Sequence, residues 1–270
     1  MKKYLVIGNP IEHSLSPKLH NYWIKKNGLK SIYGKLAVKE NELSELCNNL
    51  RQGELNGINV TVPFKKAIIP HVDILSGHAL RTNSINTISV DNGNLVGHNT
   101  DIEGFELSIK KSNYDVSNKN IIILGAGGVV PSIIYALKRM NADKIILSNR
   151  TREKAEELKK LYKDLIILDW GELIEFDMII NATSIGLNEN DNFEIDFTKV
   201  GNNKFFYDVI YKPYKNNFSK AGNQKGNIFK NGLNMFLYQA QKAFNIWHKI
   251  EPVIDEEVLD FLDNNNEIKK

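Results

Sequence analysis

Residues 120–140 read NIIILGAGGVVPSIIYALKRM, and the rest of the fold can be read outward from them. Ile121–Leu124 is a continuous apolar run, as expected of a strand buried on both faces. Gly125-Ala126-Gly127-Gly128 then breaks it, and an apolar periodicity of helical spacing begins. KIILSNR (144–150) supplies the next strand and TREKAEELKKLY (151–162) an amphipathic helix. LIIL, DMIINAT and KFFYDVIY repeat the strand pattern further on. Strands alternating with helices imply a parallel sheet covered on both faces.

A glycine turn between strand and helix lets the backbone approach a pyrophosphate, and the free N–H groups of the helix favour anions. Val130 occupies the third slot of G-x-G-x-x-G, so the motif is imperfect. The following strand ends Ser148-Asn149-Arg150-Thr151-Arg152, with no acidic residue to hold a free ribose 2′-hydroxyl. Two arginines and two small polar residues suit a 2′-phosphate, so the expected cofactor is NADP. As an alternative, Thr151 is an ordinary helix N-cap and both arginines are solvated.

Before this segment the grammar is similar. KYLVIG, SIYGKLAV and GINVTV read as strands, and PKLHNYWIKKNG and NELSELCNNLRQG as helices. In GINVTVPFKKA (57–67), Ile58, Val60 and Val62 alternate with Asn59 and Thr61, the period of a half-buried strand. Pro63 ends the ladder and Lys65 follows. SINTISV and NLVGHN flank an Asn92-Gly93 hairpin turn. LNMFLYQAQKAFNIW and DEEVLDFLDNN read as closing helices, with DNNNEIKK a frayed tail. The resulting expectation is an α/β protein of two domains. Residues 1–101 plus 233–270 form an N-terminal α/β substrate domain, and 102–232 a Rossmann-like, doubly wound dinucleotide-binding domain. A ligand is expected in the cleft between them.

Composition narrows the function. The 270 residues are 42% hydrophobic and 25% charged, enough to bury cores. The net charge of +3 comes from scattered residues, which disfavours nucleic acid. No apolar run is long enough to span a membrane. One cysteine, Cys47, excludes an intrachain disulfide, and no Cys/His spacing suits a metal. A cytoplasmic protein is expected.

At the substrate end, Ser14 and Ser16 precede a helix, where two hydroxyls fit a carboxylate; Ser16 as a plain N-cap is the alternative. Asp101 also reads as an N-cap, and Asn86 and Thr87 as strand-end polar residues. Residues 14–16, 59–65, 86 and 99–101 all fall at strand ends that share one edge of a parallel sheet. Hydroxyls, amides, a lysine and a carboxylate gathered there suit a polyhydroxy acid.

Five segments occur in order: GNPIEHSLSPKLHN, GINVTVPFKKA, SINTI with GHNTDIEGF, GAGG with SNRT, and NATSIGL followed by GLNMFLYQA. Together they resemble the shikimate dehydrogenase family over nearly the whole chain. The resemblance implies NADPH-dependent reduction of 3-dehydroshikimate to shikimate in aromatic amino-acid biosynthesis. It implies that Ser14 and Ser16, helped by Tyr211, hold the substrate carboxylate. Thr61, Asn86, Asp101 and Gln239 would bind ring hydroxyls, and Lys65, oriented by Asp101, would be the catalytic acid/base. Gly125, Ala126, Gly127, Gly128, Val129, Asn149, Arg150, Thr151, Arg152, Val209 and Gly232 match cofactor positions. The partners implied are the small-molecule substrate alone, in a monomer or homodimer. Departures are Asn83-Ser84-Ile85 for Gly-Ala-Val, Gly77 for an acidic residue, Val129-Val130-Pro131 in the glycine helix and Asn216-Asn217 for Thr-Pro. Competing readings are an NAD-using quinate/shikimate dehydrogenase and a non-catalytic ligand sensor on the same scaffold. If Arg150 binds the 2′-phosphate, Arg150→Ala weakens NADPH more than NADH, read as the ratio of the two KM values. Equal weakening removes the phosphate role.

Overall fold

The computed structural model describes residues 1–263; the tail from 264 on, read above as frayed, lies outside the described residues. The chain divides into two compact units, Phe105–Phe236 and the remainder on either side of it. The divisions fall after Gly104 and Phe236, a few residues inside two helices, rather than at the turns before them.

The first unit holds strands β1 (Lys2–Gly8), β2 (Ser31–Ala37), β3 (Gly57–Val60), β4 (Ile74–Leu75), β5 (Thr87–Asp91) and β6 (Asn94–His98), in the order β2-β1-β3-β5-β6-β4. β1 pairs in parallel with β2 and β3, but β5 runs antiparallel to β3 and to β6. The sheet is therefore mixed rather than wholly parallel. The hairpin at Asn92 (φ 49°) and Gly93 (φ 82°) causes the reversal, both residues taking the left-handed backbone this turn requires. Helices α1 (Ser16–Lys26), α2 (Leu43–Arg51), α3 (Gly77–Thr82) and α4 (Asp101–Lys111) follow strands in this part of the chain.

All four residues of β3 are buried, including Asn59, so its alternation does not mark a solvent face. One side of the sheet packs Ile7, Ile58, Val60 and Ile88 on Leu43, Leu46, Cys47 and Leu50 of α2. The other side is aromatic: Tyr33 stacks on His20 at 4.2 Å, and Tyr4 lies 4.9 Å from Trp247. Burial drives the His20 pKa down to about 3, so it sits there as neutral imidazole.

The second unit holds β7 (Asn120–Leu124), β8 (Lys144–Ser148), β9 (Ile166–Leu168), β10 (Met178–Asn181), β11 (Phe205–Asp208) and β12 (Ile228–Lys230). Every pairing is parallel and the order is β12-β11-β10-β7-β8-β9. Read from β7, this is the doubly wound 3-2-1-4-5-6 arrangement, which reverses direction beside β7. Its helices are α5 (Val130–Arg139), α6 (Arg152–Leu161) and α7 (Asn217–Gly222). The chain returns to the first unit within α8 (Leu233–His248) and ends in α9 (Glu256–Leu262).

Trp247 of α8 donates its indole N–H to the Ile88 carbonyl at 3.0 Å, and its ring fills the space beside Gly57 that a Cβ would need. Gly57→Ala therefore forces the indole out of place and destabilises the first unit by about 1–3 kcal/mol. Thermal unfolding of the variant should show a melting point lower by several degrees.

Candidate functional site

Register brings the chemistry of the first unit to one edge. Ile7 pairs with Val60, Asn59 with Thr87, and Thr87 with His98. The exits of β1, β3 and β6 and the entry to β5 therefore lie side by side. Gly8 marks the closest approach, since a Cβ there would stand 2.5 Å from Thr61 Cγ2. Lys65 lies in the turn after β3, and its carbonyl accepts from the Ile85 N–H at 2.9 Å. Its ammonium meets Asp101 Oδ2 at 2.5 Å, with only 8% of Lys65 and 5% of Asp101 exposed. Asn86 Nδ2 donates to Asp101 Oδ1 at 2.8 Å. The Asp101 carboxylate thus faces Lys65 and Asn86, while Asn99 Oδ1 accepts from the Asp101 N–H at 3.1 Å.

Ser16 is not the cap of α1. The helix begins at Ser16 itself, Leu15 holds the cap position with helical backbone angles, and no side chain caps it. Ser14 Oγ instead accepts from the Ser16 N–H at 3.3 Å. Gln239 offers its backbone carbonyl to Thr100 Oγ1 at 3.0 Å. Tyr211 belongs to the second unit, where its ring packs 5.0 Å from Phe236. Asn83, standing for the family's glycine, takes the left-handed conformation (φ 48°) that closes α3.

The sequence reading gave no role to Tyr33 or Thr100 and took Thr87 for a strand-end group. All three are buried and hydrogen-bonded into this edge. Polarity inside strands could have marked Tyr33 and Thr87; Thr100 lies between β6 and α4, where a polar residue is unremarkable.

In the second unit, Gly125 has φ +106°, and a Cβ there would lie 2.7 Å from the Ala182 carbonyl oxygen. Only glycine fits between β7 and the turn after β10. α5 starts without a side-chain cap, leaving N–H groups at its end unclaimed by side chains. Val130, in the third glycine slot, is fully buried. At the exit of β8, Asn149 Nδ2 donates to the Thr151 carbonyl at 2.7 Å, and Arg152 is ion-paired with Asp169 and Glu156. Arg150 is exposed and has no ion pair among the described residues. Thr151 occupies the cap position of α6, but its side chain makes no cap hydrogen bond. At the exit of β11, a Cβ on Gly232 would collide with the Val209 carbonyl, so these two backbones touch.

Asp208 ends β11 fully buried. Its Oδ1 accepts from Asn181 Nδ2 at 3.0 Å and from the Ile210 N–H at 2.9 Å, whereas Oδ2 is buried without a partner. Desolvation pushes its pKa up to about 7 against those two bonds. Asn181 in turn accepts from the N–H and hydroxyl of Thr183, shaping the turn that lies on Gly125. Sequence reading missed this pair as well.

A Rossmann unit with a glycine cradle, carried on one chain with a buried lysine–aspartate pair at a sheet edge, is the make-up of a two-domain nicotinamide-dinucleotide oxidoreductase. The family model for the shikimate dehydrogenase substrate binding domain matches residues 6–88, and that for shikimate / quinate 5-dehydrogenase matches residues 106–206. The chain belongs to the shikimate dehydrogenase family. It is 55% identical over 262 residues to the shikimate dehydrogenase (NADP(+)) of Pelagibacter ubique, covering 97% of this chain and 99% of that one. The crystal structure of shikimate dehydrogenase from Aquifex aeolicus superposes with a TM-score of 0.90 at 35% identity, over 98% of both chains. The Thermus thermophilus enzyme, solved in complex with NADP(H) and shikimate, gives 0.87 at 27% identity, over 98% of this chain and 99% of that one.

The Asp208 environment generates a pH expectation. An acid whose folded pKa is raised favours the folded state only while protonated. Its contribution therefore falls as pH rises from the unfolded value of 3.8 to about 7 and is constant above that. Asp208→Asn removes this dependence. In urea unfolding, the stability of the variant relative to the parent should grow by roughly 1.4 kcal/mol per pH unit across that window. A constant difference from pH 5 to pH 8 contradicts it.

Proposed function

We propose that this protein reduces 3-dehydroshikimate to shikimate with NADPH, reversibly. The observation that carries the reading is the buried Lys65–Asp101 pair, braced by Asn86, at the edge where the strands of the first unit end. The residues of the second unit fit the cofactor: a cradle that a Cβ at Gly125 would fill, an uncapped helix after it, and the unpaired Arg150 for a 2′-phosphate. Gly125 to Val129 would face the pyrophosphate and Asn149 to Arg152 the adenosine side. Arg152 would act within its ion pairs to Asp169 and Glu156. Val209 and Gly232 would offer backbone groups. When bound, the dinucleotide supplies the hydride.

The rest falls to the chain's own side chains. As the carbonyl carbon receives the hydride, negative charge develops on its oxygen. The Lys65 ammonium stabilises that charge and gives it a proton: an N–H bond breaks, an O–H bond forms, and solvent restores the ammonium. The reverse reaction returns the proton to the lysine. Asp101 orients the ammonium and accepts a hydrogen bond from a ring hydroxyl, while Asn86 holds the carboxylate in place. Ser14 and Ser16 donate to the substrate carboxylate with help from Tyr211, and Thr61 and Gln239 bind ring hydroxyls.

The absence of an acidic residue at the end of β8 favours NADP over NAD. One assay pairing shikimate and quinate with NADP and NAD tests the assignment; NADPH formation fastest with shikimate and NADP is expected. Lys65→Ala should cut kcat by roughly 10²–10⁴-fold with NADPH binding retained and the shikimate KM changing less. A variant with near-parental kcat removes Lys65 from the chemistry.

A further inference from the structure

The buried polar groups at the edge of the first unit form one unbroken chain whose donor and acceptor senses are fixed. Asn59 Nδ2 lies 3.0 Å from the Asn86 backbone carbonyl and 2.9 Å from Thr87 Oγ1. A carbonyl can only accept, so the amide nitrogen must face it, and Asn59 Oδ1 must face Tyr33. The Tyr33 hydroxyl, 2.6 Å away, must then be the donor. Onward from Asn59, Thr87 Oγ1 donates to Asn86 Oδ1 at 3.1 Å. The Thr100 N–H donates to the same oxygen at 2.8 Å, which fixes the Asn86 amide. Asn86 Nδ2 consequently points at Asp101, and Asp101 at Lys65. Tyr33, Asn59, Asn86, Thr87 and Thr100 are all buried.

We propose that Tyr33 is a positioning residue for the reaction: its hydroxyl locks the amide of Asn59, and through it Asn86 and the Asp101–Lys65 pair. This rests on the reductase reading above. Burial holds the Tyr33 phenol well above its ordinary pKa, so it remains a donor across the working range of pH.

Tyr33→Phe removes the hydroxyl and keeps the ring stacked on His20. Asn59 Oδ1 is then left buried without a donor, which weakens the hold on the Asn59 side chain and, through the Asn86 carbonyl and Thr87 that it meets, on Asn86. With saturating NADP and rates normalised to dinucleotide-binding sites, the expected signature is kcat lower by about tenfold with the shikimate KM little changed. Mere loss of folded protein lowers neither value after that normalisation. Thr87→Val cuts the same chain one link further on, so kcat should again fall with KM little changed.

Unchanged kcat in both variants overturns the proposal. So does a raised KM with unchanged kcat in Tyr33→Phe, which would make Tyr33 part of the carboxylate pocket itself. If the parent protein shows no shikimate-dependent NADPH formation, the reductase reading has failed. Hydrogen exchange of the Asn59 side-chain amide, followed by NMR, then decides the positioning role without any activity. Faster exchange in Tyr33→Phe supports it, and an unaltered rate overturns it.

Discussion

A lysine and an aspartate that touch at 2.5 Å, both almost wholly removed from water, set the terms for the first unit. Withdrawing two charges from solvent is costly, and the attraction between them offsets that cost only if the remaining donors and acceptors are satisfied. Here Asn86 takes the second carboxylate oxygen, and Thr100, Thr87, Asn59 and Tyr33 satisfy Asn86 and one another. Removing one partner of such a pair ordinarily costs about 3–5 kcal/mol. The strands, their register and the hairpin reversal can be understood as the scaffold that brings these groups within bonding distance.

The second unit meets a different constraint, that of keeping space open. Gly125 and Gly232 stand where a single carbon would strike a carbonyl of a neighbouring segment. The turn after β10 is held on Gly125 by Asn181, which is itself held by Asp208. A carboxyl group with one unsatisfied oxygen at full burial is a place where stability has been given up. Its position beside the proposed dinucleotide cradle fits the tendency of perturbed acids to gather near functional surfaces.

Much of this was legible in the sequence. Apolar runs such as Ile121–Leu124 and the switch to helical spacing at Val130 identify a parallel sheet because burial on both faces leaves no polar alternation. The glycine turn, the missing acid after Ser148 and the gathering of Lys65, Asn86 and Asp101 at strand ends were equally accessible. Four short elements, α3, α7, β4 and β12, were not, since two to six residues carry too little periodicity. The first sheet was expected to be parallel, although the Asn92-Gly93 turn already encoded the reversal of β5. Ser16 was weighed as a cap, but the helix begins one residue earlier than a cap would allow. Tyr33 was invisible because its partner Asn59 lies 26 residues away, and nothing in a period-2 strand reports where a hydroxyl is aimed.

The first unit is discontinuous in the chain: it is completed only when α8 supplies Trp247 to Ile88 and the Gln239 carbonyl to Thr100. On the ribosome, therefore, the amino-terminal strands emerge long before the indole that covers Gly57. The whole second unit is synthesised in the interval and can fold as an uninterrupted stretch. Assembly of the lysine-bearing edge therefore waits until α8 has been made, after every strand of the second unit.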